Sequence, residues 1–161
     1  MWTDFQLHGA GASRYLIKDS ALTPGQAGCT VQRLLEIETY CMMALLALPV
    51  AREVGARLAS METALADAAG ARKAVVGVAE ERALLGRLTV LSAEIEAISS
   101  RTSYRFGAAQ AYHGIVRRRI ESLREERIEG TQTIGDFMGR RLTPAMRTRK
   151  SVHERQEAIA E

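Results

Sequence analysis

Aromatic residues make up only 5% of this chain of 161 residues, and it holds just three prolines and two cysteines. Few rings leave little of what a sheet favours. Alanine, leucine, arginine and glutamate dominate instead, residues that lose little on entering a helix. Charge of one sign is also lacking. Lys and Arg number 22 against 19 Asp and Glu, a formal charge of +3, so a dedicated nucleic-acid surface is not expected. Long apolar runs are missing too. The longest, Cys41 to Ala51, is about half of the ~20 residues that span a bilayer, and it reads as a buried helix core. The first residues lack the basic start and apolar run of a secretory signal.

Cys29 and Cys41 fall on one expected helix, about 18 Å apart at 1.5 Å per residue. A disulfide needs α-carbons within about 7 Å. The two thiols therefore cannot pair within an intact helix, which fits a reducing compartment.

Residues 1–22 show no helical period and are expected as an irregular arm, with a short strand at Tyr15–Ile17 and a loop at His8–Ala12. Residues 23–161 are expected as one helical, coiled-coil-like domain. Thr23-Pro24 opens the first helix, threonine as cap and proline at the first helical position. Val31, Leu34, Leu35, Met42, Leu45 and Leu48 repeat at helical steps towards a stop at Gly70. Pro49 is expected to break the backbone bond at Leu45 and kink the rod.

The second helix is expected from Val75 to Ile128. Leu84, Leu88, Leu91, Ile95 and Ile98 give a heptad seam. It weakens across residues 102–107 and resumes through Ala109, Tyr112, Val116, Ile120 and Leu123. At about 80 Å it matches the first helix, at about 70 Å. A short link places the two antiparallel. Thr133 caps a third helix, with Asp136 at the capping-box position and Ile134, Phe137, Met138 and Leu142 as its apolar face. Thr143-Pro144 kinks or restarts it. The remainder is charged, with Met146, Val152 and Ile159 as its apolar markers. The fold class expected is all-α: a long antiparallel helical pair, a third helix and the N-terminal arm.

Chemistry is thinly represented. His8, His113 and His153 lie in separate segments, and neither an HExxH nor a Cys-x-x-Cys pattern occurs. Glu36 and Glu38, two apart, point to different faces of a helix. Glu36 is expected to touch Tyr40 or Arg33 rather than an ion. The glycines near His8 lack the spacing of a dinucleotide loop. Arg117, Arg118, Arg119, Arg140 and Arg141 are the candidate contacts for anions or anionic lipid, although the first run, with Glu121, also reads as a solvated ladder. Tyr104, Phe106 and Tyr112 are expected to fill gaps where the seam slips. No nucleophile–base pair, metal cluster or cofactor loop can be assembled, so no cofactor and no enzymatic activity are expected.

One stretch, Thr30 to Arg52, is more specific than any of these. With Asp4-Phe5, Ser13–Leu16, Leu22–Pro24, Thr102–Phe106, Leu123–Gly130 and Leu142–Thr148 in the same order, it resembles the bacterial domain-of-unknown-function family 3422, described as membrane-anchored proteins. The resemblance implies a longer protein, with a region upstream and a pair of hydrophobic segments downstream that hold it to the membrane. The present segment would then be soluble and cytoplasmic. The family pattern carries arginine at Cys29 and Cys41, so neither thiol is expected to be functional, and it assigns no catalytic residue.

The function expected is a non-enzymatic helical scaffold that forms homo-oligomers or binds partner helices. The alternative, by likeness of layout to CorA-type magnesium channels, is the soluble stalk of a cation transporter or channel.

Overall fold

A computed structural model describes residues 2, 3, 9, 11–71 and 77–160. His8 and the expected helix start at Val75 lie outside the described residues. The chain forms two compact units, Met1–Leu35 and Glu36–Glu161.

In the first unit, β1 (Trp2–Thr3) pairs antiparallel with β2 (Tyr15–Leu16), Trp2 opposite Leu16 and Thr3 opposite Tyr15. The arm is therefore not wholly irregular: the strand expected near Tyr15 has a partner that two residues of sequence could not announce. Asp19 Oδ1 accepts the backbone N–H groups of Ala21 and Leu22 at 2.9 and 2.8 Å, turning the chain into the helix. Thr23 and Gln26 then form a reciprocal capping box. Gln26 Oε1 accepts the Thr23 N–H at 2.9 Å, and Thr23 Oγ1 accepts the Gln26 N–H. The helix α1 (Pro24–Leu45) follows, as the Thr-Pro pair predicts.

The second unit is all-α. The rod of α1 continues after Leu46 as α2 (Ala47–Ala71). Pro49 causes the break: it has no N–H to offer the Leu45 carbonyl. Ile37, Cys41, Ala44, Ala47, Ala51, Val54, Leu58 and Met61 are buried along this rod. Their steps alternate between three and four, except for two successive threes at Cys41–Ala44–Ala47, a slip of heptad phase at the break. The large residues that the sequence placed on this seam are partly on the other side, with Val31, Leu35 and Met42 exposed. The rod is apolar on two faces, and small alanines, which let rods approach closely, occupy the inner one.

The helix α3 (Val78–Leu123) starts from Gly77, whose N–H is accepted by Glu80 Oε2 at 2.9 Å. It ends at Leu123 rather than Ile128, because Arg124 adopts the left-handed conformation (φ 50°). At 46 residues it is about 69 Å long. Its seam is buried from Ile95 onwards, through Ile98, Thr102, Phe106, Ala109 and Val116. Leu88, expected on the seam, is exposed. The double step of four at Ile98–Thr102–Phe106 is a four-residue slip where the apolar pattern weakens. Phe106 fills that slip, whereas Tyr104, expected to help, is 85% exposed.

The helix α4 (Ile134–Ala160) runs through Pro144 without interruption. Thr133 caps it, accepting the Asp136 N–H at 3.0 Å. Asp136 itself binds Arg127 at 2.7 Å. Glu125 supplies the rest of the cap, accepting the N–H groups of Ile134 and Gly135 at 2.8 and 2.9 Å.

The helices α2, α3 and α4 pack against one another. Glu36–Arg119, Tyr40–Tyr112 and Arg57–Glu94 tie the first rod to α3, so the two run antiparallel. Arg149–Phe106 and Gln156–Thr102 set α4 antiparallel to α3. Arg155–Glu62, and Val152 against Gly55, set it parallel to α2.

Candidate functional site

Two features of the second unit combine polar chemistry with burial. The first is a polar layer in the α3–α4 seam. Hydrophobic periodicity misses it, because α4 carries Arg149 and Gln156 at the seam positions that follow Leu142 and Ala145. Arg149 is only 8% exposed. Its Nη2 donates to Gln110 Oε1 at 2.7 Å and its Nη1 to the Phe106 carbonyl at 3.5 Å. Burial lowers the pKa of this guanidinium, with Glu154 opposing. Gln156 Nε2 donates to Thr102 Oγ1 at 3.1 Å, whose hydroxyl donates to the Ile98 carbonyl at 2.9 Å. Beside this layer His153 meets the Phe106 ring edge-on at 6.4 Å. Arg155 clasps Glu62 with two 2.7 Å bonds, which hold the Glu62 carboxyl below its ordinary pKa.

The second feature is an open-sided cleft of about 300 Å³ between α3 and α4. Its floor is Val116, Ile120, Met138 and Leu142, and its rim carries His113, Arg117, Glu121 and Thr143. Gly135 and Gly139 of α4 face it. Successive turns of antiparallel helices put His113 and Thr143 at one end, and Glu121 and Gly135 at the other. The His113 pKa is lowered by burial first and then by the charges of Arg117 and Arg149.

The five arginines singled out in the sequence do not share one setting. Arg117 lines the cleft and reaches Glu121 at 3.6 Å, as the helical ladder predicts. Arg119 pairs with Glu36 of α1. Tyr40 stacks on Tyr112, with ring centroids 5.5 Å apart. Arg141 lies 3.6 Å from Met42 Sδ, while Arg118 and Arg140 are exposed. Three consecutive residues diverge by about 100° each around a helix, which separates Arg117 from Arg119. Among the described residues no group of three or more His, Cys, Asp or Glu side chains is arranged to hold a metal ion. Both cysteines are free thiols, Cys29 exposed and Cys41 buried.

The family model for proteins of unknown function, DUF3422, matches residues 1–161. The chain belongs to the DUF3422 family. No curated protein and no solved structure matches it. Among the described residues of this DUF3422 chain one helical stretch, Pro24–Ala71, is long and apolar enough to cross a membrane, a property shared by core helices of soluble proteins.

Proposed function

We propose that this DUF3422 chain is a non-enzymatic helical scaffold that assembles with partner helices, foremost further copies of itself. The observation that carries the proposal is apolar surface that the rods leave uncovered. On α3, Leu85 and Leu88, three residues apart on one face, are both exposed. On the first rod Met42, Met43 and Leu46 are exposed as well. Clusters of this kind mark interaction surfaces more often than single exposed leucines do. In this reading the segment is soluble and cytoplasmic, and the full-length bacterial protein is membrane-anchored, in line with the resemblance of its motifs.

Sedimentation velocity across a range of concentrations tests the proposal. Self-association that weakens in Leu85→Glu and Leu88→Glu is expected. A strictly monomeric species at high concentration counts against it. The second reading, a cation-transporter stalk, has less support, since Glu36 is engaged by Arg119. A divalent-ion titration that leaves the melting temperature unchanged removes it.

A further inference from the structure

We propose that the cleft between α3 and α4 binds a soluble single-chain amphiphile with a carboxylate head, its chain on the apolar floor and its head at the His113–Arg117 end. Size limits the ligand first. About 300 Å³ lies at the small end of small-molecule sites, enough for a short alkyl chain and too little for a large cofactor. The floor offers only hydrocarbon and a thioether.

Gly139 keeps that floor open. Glycine inside a helix costs about 1 kcal/mol relative to alanine. At Gly135 close packing accounts for the cost, because a Cβ there would stand 3.1 Å from Ile120 Cγ2 and 3.2 Å from Glu125 Oε2. At Gly139 a Cβ would meet nothing within 4 Å. Gly139 lines the cleft, so the side chain it lacks leaves that space open.

Charge selects the head group. His113 stands in the field of two guanidiniums, Arg117 and Arg149, and Arg117 and Thr143 line the cleft with it. Arg117 is mostly exposed, and its long 3.6 Å contact to Glu121 is weak enough for a better-placed anion to replace. Glu121 itself lies about two turns of α3 from His113. A carboxylate beside Arg117 accepts charge-assisted bonds, and the Thr143 hydroxyl at the same end can donate another. An ammonium head meets repulsion there.

Calorimetric titration of the purified chain with sodium octanoate, octan-1-ol and octylammonium chloride tests this. Octanoate is expected to bind saturably at one per chain, octanol at least about tenfold more weakly, and octylammonium more weakly still. Gly139→Leu places a side chain in the cleft and should abolish octanoate binding while keeping the helical circular-dichroism spectrum. Arg117→Gln, at an exposed position, should erase the preference for octanoate over octanol. Absence of saturable octanoate binding overturns the proposal. So does octylammonium binding as tightly as octanoate, or undiminished binding in folded Gly139→Leu. Should that variant not fold, octanoate-induced NMR shifts in the unaltered chain decide: shifts confined to residues of the cleft are expected, and shifts elsewhere overturn the assignment.

Discussion

Gln156 of α4 donates to the hydroxyl of Thr102 of α3 at 3.1 Å, with both side chains buried in the seam. The hydroxyl passes its own hydrogen to the Ile98 carbonyl at 2.9 Å. The pair is therefore unequal. Thr102→Val leaves a buried amide without its acceptor and should cost about 1–3 kcal/mol. Gln156→Leu leaves Thr102 still bonded to Ile98 and should cost less. Thr102→Val with Gln156→Leu should recover most of the loss. Urea unfolding of the three variants checks the order, and a double variant no better than Thr102→Val alone contradicts it.

This pair also shows where the sequence stops being legible. The Thr23 and Thr133 caps, the break before Pro49 and the seam from Ile95 to Val116 follow from local chemistry and period, and the structure has them. On the first rod the period places Leu34 on the buried face, but it also picks out Val31, Leu35 and Met42, which are exposed and larger than the alanines that do the packing. Arg149 and Gln156 were invisible to a search for apolar steps. Glu125 caps α4 from nine and ten residues upstream of Ile134 and Gly135, whose N–H groups donate to it, beyond the reach of any capping signature. Of the candidate site, the sequence marks Arg117 as an anion contact but gives no sign of the floor opposite it. A cleft needs two helices in register, and Gly139 in sequence is only a weak helix former.

The two glycines of α4 should respond oppositely to alanine. Gly139→Ala adds helix propensity into open space and should stabilise the chain by about 1 kcal/mol. Gly135→Ala gains the same propensity but presses on Ile120 and on the Glu125 carboxylate that caps the helix. It should be neutral or destabilising. Thermal denaturation of both variants is sufficient, and equal gains would mean that the capping contacts yield freely.

The thiols should differ in reactivity. Cys29 is exposed, and Cys41 is buried, where desolvation raises its pKa, with Arg141 opposing and Glu38 adding to the rise. The thiolate is the reactive form. Ellman's reagent should consume one thiol per native chain quickly and the second only with unfolding. Cys29→Ser should abolish the fast phase, and fast labelling that persists in this variant would place Cys41 at the surface.

His113 should make stability depend on pH near neutrality. Its folded-state pKa lies below the unfolded value, through burial first and then repulsion by Arg117 and Arg149. The unfolded chain therefore takes the proton more readily. The stability held by the neutral imidazole is complete above its ordinary pKa of about 6.5, and is lost as pH falls through that value towards the folded-state one. Glu62 shifts in the same sense, but its loss begins only as pH falls through the ordinary glutamate pKa of about 4.3 towards the lower folded-state value, where protonation breaks the bonds from Arg155. The two windows are separate. Urea melts at about pH 7.5 and pH 5.5 should show a loss of stability that is smaller in His113→Gln. Glu62→Gln should leave that interval unchanged and flatten the slope only at lower pH. An identical loss in the unaltered chain and in His113→Gln would remove the imidazole from the account.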